Sequence, residues 1–463
     1  MSTTVQPLHR VSAKAARDAR NKIYPRLTRG RFNTIRVLTV LITQAVFFGL
    51  PWLQWNGRQA VLLDIDHERF YLFGLILGPQ DLVYLAGLLI VSALGLFGWT
   101  ALAGRLWCGN ACPQTVYTEI MLWIERAVQG DRPARMRLDA APRAWNTLWR
   151  KGLSHGLMMG FALLTGATFV GYFTPIQDIA TSGSWFALGG WTQFWLLFYA
   201  VFTYVLAGLL REQVCKHMCP YARFQGAMFD DDTLIISYDP VRGEPRGSRK
   251  QGDKPRGDCV DCSICVQVCP TGIDIREGLQ YECIGCAACI DACDTVMDKI
   301  GAPRGLIRFT SQNAMARGVG RLFGWKTLFR PRMVVYAVLM ATVIGAMGVG
   351  LWQHQPYKFN VLRDRAFLSR ETDDGLLENG FTLRVMNYGE SAQDYRVEVE
   401  GLPSASVSTR PEKIRVEANG DATVYAWVRA DTADLPRGSH PFRFRLVPKQ
   451  GEALETDASF IAE

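Results

Sequence analysis

The run CVDCSICVQVCPTGIDIREGLQYECIGCAACIDACDTVMDKI carries eight cysteines at metal-binding spacing. It reads C-x2-C-x2-C-x3-C-P from Cys259 to Pro270, then C-x2-C-x2-C-x3-C from Cys283 to Cys293. Steps of three residues place thiolates on successive corners of an iron–sulfur cubane, and the more distant fourth cysteine reaches the other cluster. Cys259, Cys262, Cys265 and Cys293 are therefore expected to hold one [4Fe–4S] cluster. Cys269, Cys283, Cys286 and Cys289 are expected to hold the second. Gly272 and Gly285 should relieve crowding where backbone passes the inorganic core, with amides placed to donate to cluster sulfurs. Paired zinc sites share the C-x2-C steps but not the evenly repeated four-cysteine pattern followed by Cys-Pro. Asp294 stands where the second motif commonly has Pro. That change removes no ligand, but it is expected to loosen the loop or slightly lower the potential.

Four further cysteines form a second set. CGNACP (Cys108, Cys112) and CKHMCP (Cys215, Cys219) each follow an apolar run, and their surroundings read as an internal repeat. Residues four apart share one helix face, so each pair could clamp a metal ion. The Pro after the second Cys is expected to end or bend the helix. If the two hairpins are related by pseudo-symmetry, the four thiolates converge. Soft thiolates select copper(I), zinc or iron–sulfur iron. The residues alone leave three readings open: a site that binds and reduces copper, a further cluster, or inert buried thiols. His217 and Met218 lie inside the second motif and could join as ligands. The other histidines sit at span ends or outside them, which disfavours a transmembrane haem. No Gly-rich dinucleotide turn follows a strand.

The elements that must position these cysteines are largely membranous. The 463 residues contain twelve Cys, six His and a net charge of +8. The cysteines are clustered, which favours metal ligation over a disulfide scaffold. Five apolar stretches are long enough to cross a bilayer: Val37–Leu53, Asp81–Ala103, Gly156–Pro175, Trp191–Leu210 and Met333–Trp352. Basic residues crowd the segment before the first span, the second loop and the long fourth segment, whereas residues 176–190 have no Lys or Arg. The positive-inside rule then places the amino terminus and all twelve cysteines in the cytoplasm, and the carboxyl terminus outside. The basic arm reads as an anchor flank and not as a nucleic-acid site. After Trp352, runs such as FTLRVMNYGE and KIRVEANGDATVYAWVRAD alternate at strand period, suggesting a periplasmic Ig-like β-sandwich.

The expected order is a basic arm (1–36), four spans with the first Cys-x-x-x-Cys-Pro in a cytoplasmic loop (37–210), and the second such motif with a linker (211–250). A ferredoxin-like α+β module (251–300), a basic linker (301–332), the fifth span (333–352) and the β domain (353–463) follow. The chain is thus a multi-domain membrane protein.

With basic arm, five spans, twin Cys-x-x-x-Cys-Pro, two-cluster ferredoxin and terminal Ig-like domain together, the chain resembles the CcoG/FixG (RdxA) family. These are membrane accessory proteins of the cbb(3)-type cytochrome c oxidase. The resemblance implies a protein of the bacterial cytoplasmic membrane that reduces copper(II) for oxidase maturation, with the eight ferredoxin cysteines as cluster ligands. Cys108, Cys112, Cys215 and Cys219 match the family's second cysteine set, here a candidate copper and redox site. A cytoplasmic electron donor and a copper chaperone or oxidase assembly factor are the implied partners. The alternatives are an electron relay to a quinone or another reductase, or an assembly scaffold with redox-sensing clusters.

Overall fold

The computed structural model describes residues 22–247, 257–317, 329–364, 369–372, 374–431, 435–449 and 451–462. The arm before Lys22 and parts of the two linkers, 248–256 and 318–328, lie outside the described residues. The chain divides into two compact units: Met1–Leu63 with Leu85–Gly345, and Asp64–Tyr84 with Ala346–Glu463.

In the first unit the helices are α1 (Arg31–Gly49), α2 (Leu82–Ala103), α3 (Leu106–Asn110), α4 (Pro113–Gln129), α5 (Arg132–Ala140), α6 (Trp145–Val170) and α7 (Gly190–Thr203). After α7 come two π-helical stretches, Tyr204–Leu210 and Val214–Met218. Then α8 (Pro220–Met228), β1 (Ile235–Tyr238), α9 (Ile264–Val268), α10 (Ala288–Ile300), β2 (Ile307–Thr310) and α11 (Pro331–Trp352) complete the set used here.

Among the described residues five helical segments are long and apolar enough to cross a membrane: Arg31–Trp52, Leu82–Ala103, Trp145–Val170, Gly190–Leu210 and Pro331–Trp352. The third starts earlier than the hydropathy suggested, because no breaker separates its polar first turns (Asn146, Arg150, Lys151) from the apolar run. Helices α6 and α7 approach closely through small residues: a methyl group at Gly166 would stand 2.6 Å from the Leu196 carbonyl oxygen. Such small-residue seams substitute close packing for the hydrophobic drive that lipid removes.

The ferredoxin module pairs β1 with β2 antiparallel, Ile235 opposite Thr310 and Tyr238 opposite Ile307. Under this pair pack Ile236, Ile275, Ile290, Met297, Leu306 and Ile307, all buried. Its two cysteine motifs repeat locally. Ser263 and Ala287 are both left-handed (φ 53° and 59°) and immediately precede α9 and α10. Asp261 and Gly285, two residues earlier in each motif, also have positive φ.

Among the described residues of the second unit a sandwich is built from β3 (Tyr357–Arg363), β4 (Leu376–Asn387), β5 (Gln393–Glu400), β6 (Ser406–Arg410), β7 (Ile414–Val416), β8 (Asp421–Asp431), β9 (Gly438–Pro448) and β10 (Leu454–Ala462), with a two-residue strand, Arg370–Glu371, also paired to β4. One sheet runs β6-β8-β4-β3 and the other β7-β5-β9-β10. Inward residues of both, including Leu383, Val385, Val424, Phe444 and Phe460, are fully buried and form one core. Strand-period alternation is the cause: in β9, Phe442, Phe444 and Leu446 point in while Arg443 and Arg445 point out.

Candidate metal centres

The eight motif cysteines line two cavities. Cys259, Cys262, Cys265 and Cys293 surround the first, whose remaining wall includes Tyr238, Val296, Met297, Leu306 and Ile307. Cys269, Cys283, Cys286 and Cys289 surround the second with Ile236, Ile273, Ile275 and Ile284, and Cys265 contributes to this wall too. Four of the eight thus stand around each cavity, with Cys265 at the edge of both. Of the eight only Cys262 is exposed.

Burial pushes the thiols up, Cys265 to about 11 and Cys283 and Cys293 to about 12, and neighbouring cysteines add to the rise. Cys289 is driven well above the usual thiol range by burial and by Cys286, Cys283 and Cys269 beside it. Such a set is stable as thiolates only around a cationic core. The Gly285 amide lowers Cys283 against the burial effect, the donor expected for a sulfur that carries charge. Chemistry and cavity both fit an iron–sulfur cluster at each site.

Glycines permit the close approaches. A methyl at Gly272 would stand 2.8 Å from Ile23 Cδ1, and one at Gly285 would stand 2.9 Å from the backbone carbonyl of Arg105. Both residues also have positive φ, near 70°. Ile23 belongs to the described end of the amino-terminal arm, which continues as Arg26 N–H donating to the Gln267 carbonyl (2.9 Å). Arm and ferredoxin module meet again at α1. Gly30 has no side chain to cap the helix, so Asp291 of α10 accepts from Phe32 N (3.2 Å) and Asn33 N (2.8 Å). Asp294 does not loosen its loop as expected. Its carboxylate accepts from Gly305 N at 2.9 Å, and α10 runs unbroken through it to Ile300.

The twin Cys-x-x-x-Cys-Pro motifs differ from the expected geometry in one respect. Each pair does not share a single helix ended by Pro. Cys108 lies on α3 and Cys215 in the π-helical turn, while Cys112 and Cys219 are the N-caps of α4 and α8, with Pro at the first helical position. Pro starts these helices because its missing N–H costs nothing there and its φ is already helical. Both hairpins nevertheless bring their thiols together. Burial pushes Cys215 up to about 12, with Cys112, Cys219 and Cys108 adding to the rise. Cys108 rises to about 11 for the same reasons, opposed by Gln225, whose Nε2 donates to its sulfur at 3.0 Å. Burial also raises Cys112, while the amides of Gln114 and Thr115 at the head of α4 pull it down. His217 and Met218 are exposed. Among the described residues no three Cys, His, Asp or Glu side chains close on one point as they would around a single bound ion.

The four-cysteine group abuts the second ferredoxin cavity. A methyl at Gly109 would stand 2.7 Å from the backbone N and Cα of Cys286. Arg105 Nη1 donates to the Cys283 carbonyl at 2.8 Å. A further cavity, lined by Cys215, Glu119, Arg211, Thr271 and Ile284, lies between the two groups. Below it Glu125 is buried with Arg211 (2.8 Å), Arg135 (3.1 Å) and Lys22 (3.5 Å) around it. Arg135 in turn donates to the Pro25 carbonyl and so ties the arm down.

Sequence patterns did not single out Arg105, Gly109, Gln225 or Asp291. Arg105 was legible only as one of the basic residues flanking a span, and Asp291 only as a polar residue between two ligands. What they touch is distant in sequence.

Comparison with known proteins agrees with this anatomy. Family models match residues 210–312 as a 4Fe-4S dicluster domain, 85–129 as a 4Fe-4S binding domain, and 347–463 as the Ig-like fold at the C-terminal of FixG. The nitrogen fixation protein FixG of Rhizobium meliloti is 36% identical over 482 residues, covering 96% of this chain and 89% of that protein. The chain belongs to the FixG/RdxA family. RdxA and RdxB of Cereibacter sphaeroides are 37% and 38% identical, covering 91% and 84% of this chain. As a FixG/RdxA protein it is a multi-pass membrane protein that carries two [4Fe–4S] clusters and transfers electrons, with a C-terminal Ig-like domain.

Proposed function

We propose that this FixG/RdxA protein is a copper(II) reductase serving the maturation of cbb(3)-type cytochrome c oxidase. Cys259, Cys262, Cys265 and Cys293 hold one [4Fe–4S] cluster, and Cys269, Cys283, Cys286 and Cys289 hold the other. When bound, the clusters supply single electrons by cycling between two oxidation states. Cys108, Cys112, Cys215 and Cys219 receive copper(II), which takes one electron to become copper(I). The observation that carries this reading is that the two hairpins bearing the four cysteines lie beside the second ferredoxin site, with Gly109 packed on Cys286 and Cys215 under the electrostatic influence of Cys112, Cys219 and Cys108.

The chain's own groups suit the task. Soft thiolates favour copper(I) over copper(II), so binding there makes reduction easier. Gln225 donates to Cys108, and the head of α4 offers positive potential to Cys112. Both help the thiols carry charge when the metal arrives. The basic loops orient all twelve cysteines toward the cytoplasm, where a soluble reductant is the donor. The β domain on the other side then meets a copper chaperone or oxidase assembly factor.

The test is anaerobic. Reduced full-length protein is mixed with copper(II), and cluster reoxidation is followed together with copper(I) formation. Rates that saturate with copper in the native protein and collapse in Cys215→Ser/Cys219→Ser with intact clusters are expected. Equal, unsaturable rates in both would refute the site. The match of residues 85–129 to a 4Fe-4S binding domain favours a second reading, in which the same four cysteines hold a further cluster. Iron and sulfide in excess of two clusters, lost in the same double variant, would select it.

A further inference from the structure

Arg105 leaves the end of α2 but does not turn to the headgroup region as a membrane-flanking Arg would. It is only 8% exposed. Its Nη1 donates to the carbonyls of Cys283 (2.8 Å) and Gln280 (3.5 Å), and its guanidinium lies 5.5 Å from the Phe229 ring centre. Its Nε is buried without a hydrogen-bond partner among the described residues. Its own backbone carbonyl presses on Gly285. A buried guanidinium bonded only to neutral carbonyls is costly unless negative charge stands nearby. Burial lowers the Arg105 pKa, and the groups that oppose this are Cys283, Cys108 and Glu282. The first two belong to different cysteine sets.

We propose that Arg105 is a positioning residue shared by the two sites, a fixed cation between the Cys283 loop and Cys108 that balances the negative charge of both cysteine sets once they are loaded. This rests on the assignment of Cys269, Cys283, Cys286 and Cys289 as one cluster's ligands. The Cys259 set is matched instead by a cation of the ferredoxin module itself: Arg276 lines that cavity beside Cys265. The charge, and not merely the clamp on the Cys283 carbonyl, is what the residue contributes. Arg105→Gln keeps a donor and removes the charge, whereas Arg105→Lys keeps the charge and loses the fork.

The test is a potentiometric EPR titration of the full-length protein in detergent, with the two signals assigned by Cys262→Ser and Cys286→Ser. In Arg105→Gln the reduced-to-oxidised ratio of the Cys286-dependent signal should fall about tenfold at fixed potential, the effect of a unit charge within about 10 Å at an effective dielectric near 20. The Cys262-dependent signal should stay in place, and Arg105→Lys should resemble the native protein. Unchanged potentials in Arg105→Gln, or equal shifts of both signals, would overturn the proposal. Equal effects of Lys and Gln would reduce Arg105 to a structural clamp and overturn it as well. If Arg105→Gln does not accumulate, Cys108→Ser tests the balance from the other side. With the four-cysteine group loaded with copper(I), so that Cys108 is a thiolate, its replacement should let the Cys286-dependent signal reduce more readily, and no change would overturn the coupling. Failure of the ligand assignment is distinguishable, because Cys286→Ser would then leave both signals intact.

Discussion

Asp291 offers a quantitative test of how the membrane helices are joined to the ferredoxin module. It sits between Cys289 and Cys293 on α10, is 6% exposed, and accepts from the second and third N–H groups of α1. An N-cap contributes about 1 kcal/mol, and a partly buried carboxylate facing a helix N-terminus adds roughly another. Asp291→Ala also leaves two N–H groups without an acceptor, so the local loss should be about 3 kcal/mol. Asp291→Asn keeps one acceptor without the charge and should lose about 1.4 kcal/mol. Hydrogen exchange read by mass spectrometry on peptides spanning residues 22–36 measures this directly. At about 1.4 kcal/mol per decade, protection of these amides should drop about a hundredfold in the Ala variant and tenfold in the Asn variant. Gly30→Ala should mimic the Ala variant, because its methyl would stand 2.3 Å from the Asp291 carboxyl carbon. Undiminished protection in Asp291→Ala would refute the reasoning and leave α1 anchored by the bilayer and by Arg26 alone.

Glu125 sets a pH dependence. Burial pushes its carboxyl up, but Arg211, Lys22 and Arg135 outweigh that and hold it below the usual carboxylate range. A depressed carboxylate contributes stability above its unfolded pKa and loses it as pH falls through the folded value. Thermal melts in detergent should therefore show the native protein losing stability below about pH 4.5. Glu125→Gln should be weaker by about 3 kcal/mol at neutral pH and nearly flat across that window. Asp294→Ala should cost about 1 kcal/mol by releasing Gly305 N, seen as faster exchange at Gly305 with both cluster signals retained. Leu383→Ala, in a fully buried position of the sandwich, should cost 2–5 kcal/mol, roughly the range for such cavities. It should lower a separate melting transition without altering the cluster spectra.

The resemblance of the two ferredoxin motifs to one another was legible because cubane ligation is a local problem. Three-residue steps close on one cluster whatever surrounds them, and the sorting of Cys293 and Cys269 to opposite sites follows from the same steps. The five spans were legible for a similar reason: twenty consecutive apolar residues have few other uses. The sandwich strands announced themselves by alternation at period two.

The twin Cys-x-x-x-Cys-Pro motifs mark the border of what sequence could give. Their repetition predicted convergence; the structure brings the two hairpins side by side, with no three ligating side chains closing on one point among the described residues. Whether Pro ends one helix or starts another depends on a choice between two local minima, which packing of the hairpins decides. Arg105, Gly109, Gln225 and Asp291 lay beyond that border. Each acts on a residue more than a hundred positions away, and a single sequence carries no mark of which distant backbone atom a side chain will meet. The sequence by itself determined which cysteines fall into cluster-binding motifs, which segments are apolar and long enough to cross a membrane and which alternate into strands, since all three are written in short-range spacing. The tertiary structure alone decided that the four-cysteine group rests on the Cys286 loop, that a remote carboxylate caps the first membrane helix, and that one buried Arg faces two cysteine sets, because these depend on long-range packing.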